Sequence, residues 1–189
     1  MSFEEDIREA LTALRGNGII LYPTDTIWGL GCDATSQEAV EKIFRIKSRD
    51  ENKSLLILVN SEQMLERYVR EIPEIALELL SVTDGPLTII YPNGKNLAKG
   101  VCSEDGSAGI RICRDEFCNE LISRFRKPVV STSANFSGEK SPHFFDEIDK
   151  ELIKSVDYVV KYRQDDRRKH SASPVIKLNS DGTIKILRK

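Results

Sequence analysis

The sequence predicts an α/β (α+β) fold in which a twisted, mixed β-sheet is flanked by helices. Two observations carry that prediction. Short apolar runs rich in β-branched residues, at 19–22, 55–59, 86–91, 109–113, 129–130, 158–160, 175–178 and 184–187, are interleaved with segments of helical periodicity. Several neighbouring runs have no helix between them, so the sheet is mixed and not purely parallel.

Taken in order, residues 3–15 place Ile7, Leu11 and Leu14 on one helical face, and Gly16-Asn17-Gly18 stops that helix. The strand at 19–22 follows. Thr35-Ser36-Gln37-Glu38 reads as a capping box with Thr35 as N-cap and Glu38 at N3, opening a helix that buries Val40, Ile43 and Phe44. Helical stretches at 62–69 and 75–80 are split by Pro73, a helix spans 116–125, and another spans 145–156. The last two strands are joined by a turn containing Asp181-Gly182. No repeat or linker interrupts the chain, so residues 1–189 read as one domain.

Composition excludes several classes. The longest apolar runs are strand-sized and too short to cross a bilayer. The N-terminus is acidic and lacks an apolar h-region, so no secretory signal and a cytoplasmic location are expected. Cys32, Cys102, Cys113 and Cys118 have no C-x-x-C spacing and only His143 and His170 to join them, which argues against a structural zinc or a disulfide framework. A net charge of −2 speaks against a generally basic nucleic-acid binder. The segment from 161 to 189 nevertheless holds nine Lys/Arg against three Asp/Glu, which fits a local anion site or a solvated loop.

Three stretches carry polar groups where a ligand can sit. The apolar Pro128-Val129-Val130 empties into Ser131-Thr132-Ser133-Ala134-Asn135-Phe136-Ser137-Gly138, a turn able to aim hydroxyls, an amide and backbone N–H groups at an anion, or to cap a helix. Pro23-Thr24-Asp25-Thr26-Ile27-Trp28-Gly29-Leu30-Gly31 leaves the carboxyl end of the first strand, and its glycines permit close backbone approach. It is no dinucleotide fingerprint, because its first glycine lies seven residues past the strand, and no Walker loop exists. Lys47 continues the buried stripe of Val40, Ile43 and Phe44, so it points at the protein body. With Arg49 and Lys53 it can neutralise a triphosphate or a carboxylate; a solvated helix end explains the latter two equally well.

These stretches resemble the YrdC/Sua5 family of L-threonylcarbamoyladenylate synthases, in their short, single-domain, YrdC/RibB-like form. The family's K-x-R and S-x-N elements fall on Lys47, Arg49, Ser133 and Asn135. Asp84-Gly85-Pro86-Leu87-Thr88 looks like its P-G-P-x-T element, with Asp84 in place of the first proline, and Ile186-Leu187-Arg188 like its closing I-L-R. Ser171-Ala172-Ser173-Pro174-Val175 stands where the family tends to have S-T-V-V-D.

The resemblance implies condensation of L-threonine, bicarbonate and ATP to threonylcarbamoyl-AMP and pyrophosphate, in a concave, positively charged cleft. The product would pass to a tRNA threonylcarbamoyl transferase complex for N6-threonylcarbamoyladenosine formation, with weak tRNA binding expected. It implies catalytic roles for Lys47, Arg49, Ser133 and Asn135. ATP would meet Arg49, Lys53, Ser131, Ser133, Asn135 and Arg188, and threonine would meet Thr24, Thr26, Lys47, Ser171 and Ser173. Mg²⁺ is expected with ATP, although no side-chain metal ligands are evident. Two alternatives stand beside this: an RNA-binding module without catalysis, and a carbamoyl-transfer domain with another acceptor, as in hydrogenase maturation proteins.

Overall fold

A helix over Phe3–Arg15 (α1) opens the computed structural model, which describes residues 2–48, 54–169, 171–179 and 182–189. Ser2 and Glu5 form a reciprocal capping box at its start. Ile7, Ala10, Leu11 and Leu14 bury its inner face. Asp6, buried beside them, accepts hydrogen bonds from the Tyr158 hydroxyl and the backbone N–H groups of Lys161 and Tyr162. One carboxylate thus ties the first helix to the turn that follows a late strand.

Ile20–Tyr22 (β1) and Gly29–Gly31 (β2) form an antiparallel pair around the 23–28 loop. The helix Gln37–Lys47 (α2) starts one residue later than the capping pattern predicts. Ser36 is its N-cap, because the Thr35 hydroxyl is engaged at 2.6 Å by Asp33. Ile57–Val59 (β3), Glu62–Leu65 (α3), Glu74–Val82 (α4), Thr88–Tyr91 (β4), Ala108–Ile112 (β5) and Glu116–Phe125 (α5) follow. Next come Val129–Val130 (β6) and Thr132–Ser133 (β7), short strands either side of Ser131.

The helix expected over 145–156 is broken in two. A 3₁₀ turn at Phe145–Glu147 ends in an extended Ile148, and Asp149 caps a separate helix, Lys150–Lys154 (α6). Asp149 accepts from the Glu151 N–H, and that local bond competes with a continuous helix. Tyr158–Val159 (β8), Val175–Leu178 (β9) and Ile184–Arg188 (β10) complete the described elements; Asp181 of the joining turn lies outside the described residues.

The strands make two mixed sheets where one was expected. The smaller runs β7-β2-β1-β8 and the larger β10-β9-β4-β5-β3-β6. The chain crosses between them at Ser131, whose N–H donates to the Leu56 carbonyl at 2.8 Å. One continuous core lies under both sheets.

Register divides the larger sheet into two faces. Ile57, Ile110, Ile89 and Ile176 align across it, and all are buried in the core. The neighbouring rung, Arg111, Thr88 and Val175, points the other way, together with Gly109 and Ile90. That second face is the floor of a cleft.

Candidate active site

An open cavity of about 400 Å³ lies where the two sheets meet. The six-stranded sheet supplies the floor, Gly109, Arg111, Thr88 and Val175. Residues 26–29 and 131–133 of the smaller sheet supply one wall. Ser173 and Arg188 close the far side, and Ser54 and Ser141 add hydroxyls at the edge.

Arg111 is the most buried charge in the cleft, with its side chain 3% exposed. Its Nη2 lies 3.0 Å from Asp25 Oδ1 and its Nη1 donates to Thr26 Oγ1 at 3.1 Å, while Nε has no partner. Next to it on the same rung, the Thr88 and Ser173 hydroxyls share a 2.7 Å hydrogen bond. A guanidinium beside paired hydroxyls, with one buried donor unspent, is suited to a carboxylate or another small anion.

Arg188 reaches the same rung through a β-bulge. Ile184 and Ile186 pair with Leu178 and Ile176, but the register then shifts and Arg188, not Leu187, opposes Val175. The extra residue turns Arg188 onto the cleft face, where its Nε donates to the Ser173 carbonyl at 2.8 Å. Three strand spacings separate the backbones of Arg111 and Arg188, roughly 14 Å. Burial, and then the like charge of Arg111, lower the pKa of Arg188 from its ordinary value. An anion arriving between the two relieves that repulsion.

Lys47 is where helical spacing predicts, buried to 1% exposure. Its ammonium donates to the backbone carbonyls of Ser133 and Asn135, and its own carbonyl accepts from the Ser137 N–H. It clasps the S-x-N turn from behind and is not among the residues facing the cavity. Asn135 likewise turns inward: its amide N–H groups go to the Phe136 and Glu139 carbonyls, and its Oδ1 is buried without a partner. Ser131 and Ser133 do line the cavity.

Thr26 lines the cavity, and Thr24 braces the loop that carries it. Thr24 Oγ1 accepts from the Thr26 N–H, lies 2.9 Å from Thr26 Oγ1 and donates to the Ile27 carbonyl. Ser173 is buried at the cavity edge, whereas Ser171 is exposed and does not line it. Arg49 and Lys53 lie outside the described residues. Of the two loop glycines, Gly29 borders the cavity. Gly31 is required by packing, since a Cβ there would come within 2.6 Å of the Tyr22 ring.

Motif reading passed over Arg111, and it named Thr88 only as the end of the P-G-P-x-T element, without a role in the site. Their signal was a lone arginine and a lone threonine inside otherwise apolar strands, where a buried polar group needs a partner. Among the described residues no cluster of His, Cys, Asp or Glu forms a cation cage. The nearest carboxylate, Asp25, is already opposed by Arg111. The described side chains around the cleft therefore do not make up a protein-held cation site.

The fold and cleft define an α/β protein with an open cavity between two mixed sheets and a buried arginine on its floor. The family model for Sua5/YciO/YrdC, described as telomere recombination, matches residues 12–189. A putative threonylcarbamoyl-AMP synthase of Methanocaldococcus jannaschii is 35% identical over 188 residues, covering 97% of this chain and 87% of the relative. The threonylcarbamoyl-AMP synthase of Psychromonas ingrahamii is 34% identical over 137 residues, 71% of this chain and 72% of the relative. Among solved structures, P. abyssi Sua5 complexed with L-threonine superposes with a TM-score of 0.86 at 25% identity, covering all of this chain. This chain spans only 54% of that Sua5 chain. E. coli YciO, at 24% identity, shares the fold with a TM-score of 0.84 over 90% of its length. The chain belongs to the Sua5/YciO/YrdC family.

Proposed function

We propose that this protein is a threonylcarbamoyl-AMP synthase, condensing L-threonine, bicarbonate and ATP into threonylcarbamoyl-AMP and pyrophosphate. The observation that carries the proposal is the buried Arg111 beside the Thr88–Ser173 hydroxyl pair, with a second arginine across the same cleft. Family membership narrows the anions such a cleft would take. The relatives' names supply the reaction, and the complex of P. abyssi Sua5 supplies threonine as the amino acid.

The chemistry needs no covalent nucleophile. The threonine amine and bicarbonate form a carbamate with loss of water. A carbamate oxygen then attacks the α-phosphorus of ATP, and pyrophosphate leaves with the bond electrons. The protein's work is to hold three anionic groups in line and to offset their charge. In this proposal Arg111 takes the threonine carboxylate, and Thr26, Thr88 and Ser173 shape the pocket around it. Ser131, Ser133 and the backbone of that strand face the nucleotide, and Arg188 meets its phosphates. Arg49 and Lys53 keep the ATP-facing role that the family pattern assigns them. Lys47 holds the S-x-N strand in place from behind, Asn135 braces the turn that follows it, and Thr24 holds the loop that presents Thr26.

The adenylate is a reactive mixed anhydride, so a tRNA-modifying transferase in the cytoplasm is the proposed consumer. An RNA-binding role receives less support, because two of the exposed arginines after the Tyr162 turn are paired internally, Arg167 with Asp146 and Arg168 with Asp166. Incubation with ATP, L-threonine and ¹³C-bicarbonate, followed by mass spectrometry, tests the proposal. The expected product is an adenylate carrying the label in its carbamoyl carbon; an unlabelled adenylate, or none, refutes it.

A further inference from the structure

The Pro23–Gly31 stretch contributes a carboxylate that the proposed chemistry leaves unused. Asp25 sits between two hydroxyl residues, with its Oδ1 3.0 Å from Arg111 Nη2 on the cavity floor. We infer that Asp25 is a positioning residue: through the 3.0 Å ion pair it fixes the Arg111 guanidinium at the angle at which its remaining donors face the substrate carboxylate. This inference rests on the assignment of Arg111 to threonine made above.

Three features support it. First, the loop behind Asp25 is rigid. Thr24 ties three of the loop's polar groups to itself, and the Cys118 thiol donates to the Pro23 carbonyl at 3.4 Å. A carboxylate on such a loop is a fixed point, not a flexible counter-ion. Second, the pair is not arranged as a stability device. Asp25 Oδ1 is near Nη2 but lacks an aligned hydrogen bond, and Arg111 Nε is orphaned. A buried ion pair with unspent donors is a poor stabiliser, which makes a positional role the better account of it. Third, burial pushes the Asp25 carboxyl up from its ordinary value, with Arg111 opposing that and Asp115 adding to it. The site therefore keeps a carboxylate where burial disfavours one, and Arg111 is the charge that offsets it.

An arginine binds a carboxylate through two parallel N–H groups, and that geometry fails when the guanidinium plane rotates. Thr26 holds Nη1 alone, which leaves the plane free to turn about that bond. The Asp25 charge 3.0 Å from Nη2 adds a second, electrostatic restraint that narrows that freedom.

The test is a double-mutant cycle on threonine affinity, using Asp25→Asn, Arg111→Met and the double variant, with thermal melts of each. Threonine binding by the wild type is the first arm; its absence refutes the Arg111 assignment and this inference with it. Given wild-type binding, Asp25→Asn is expected to raise the threonine KM at least tenfold, with a smaller change in kcat and in the KM for ATP. In the Arg111→Met background the same substitution should add less than a twofold effect. A purely structural Asp25 would instead lower the melting temperature and leave the threonine KM alone. That result, or a full additive effect in the Arg111→Met background, overturns the inference. Should Asp25→Asn not fold, Asp25→Glu keeps the charge and lengthens the arm. It is expected to raise the threonine KM at an unchanged melting temperature, and an unchanged KM in that variant also overturns it.

Discussion

Replacing Lys47 with methionine removes the ammonium and keeps much of the side chain's length and apolar stem. Two charge-assisted bonds to the Ser133 and Asn135 carbonyls are lost. Bonds to a charged group are worth about 1.5–3 kcal/mol each. Against that, holding an ammonium at 1% exposure costs several kcal/mol, which methionine avoids. The Ser133 carbonyl keeps the Asn135 N–H as a second donor, so only one acceptor is stranded. The net destabilisation is therefore about 1–2 kcal/mol, a melting-temperature drop of roughly 2–8 °C for a chain of this size. Function should suffer far more. Residues 131–133 form a cavity wall that loses its clasp by the Lys47 ammonium, and a displacement of about 1 Å at a reacting site costs about 100-fold in rate. Pyrophosphate release should thus fall about 100-fold in kcat/KM for all three substrates together, in a protein that still melts cooperatively. Wild-type turnover in Lys47→Met would refute the clasp. So would a loss confined to the KM of one substrate, which would mark Lys47 as a direct ligand.

Gly109 on the cavity floor tests the location of the site: a Cβ there meets Ile90 and Leu56 at ordinary contact distances of 3.8 and 3.9 Å. Gly109→Val should leave the melting temperature unchanged or slightly raised and increase the KM for threonine or ATP at least tenfold, read from melts and kinetics side by side. Lys177 and Ser107 hold the Asp105 carboxyl down at about 2 from 3.8, so its contribution is complete at neutral pH and disappears as pH falls from about 4 to 2. Because that side chain is half exposed, the contribution is only about 0.2–1 kcal/mol, and Asp105→Asn should reduce stability at pH 7 but not at pH 2 in denaturant titrations. Cys102 is the one partly exposed thiol among the four cysteines, and burial followed by Asp105 raises its pKa. Alkylation of the native protein should label Cys102 alone and slowly, with Cys32, Cys113 and Cys118 reacting only after unfolding; early labelling at Cys118 would contradict its burial.

Where local pattern decided the structure, the sequence was a good guide. The helix Glu116–Phe125 begins and ends at the predicted residues, because Asp115 caps it and Phe117, Leu121 and Ile122 form an unambiguous stripe. Lys47 pointed inward for the same reason. Strands β2 and β7 were not legible, since a Gly-Leu-Gly run lacks strand formers and a Thr-Ser pair is too short to signal a strand. They become strands through long-range pairing, β2 between β1 and β7, with Gly29 opposite Ser133 and Leu30 opposite Thr132. The second sheet, and therefore the cleft, was hidden with them. Arg111 was hidden differently: it lies in no short motif, and its importance depends on Asp25 and Thr26, more than eighty residues earlier in the chain. The inward turn of Asn135 was also out of reach, because the motif fixes a residue type and not which way its amide faces.

Pyrophosphate release by the purified protein, measured with ATP, L-threonine and bicarbonate present and then with each omitted in turn, tests the proposed synthase most directly. Release should require all three. Turnover that persists without threonine or without bicarbonate would contradict the proposal and point to a cleft serving another acceptor.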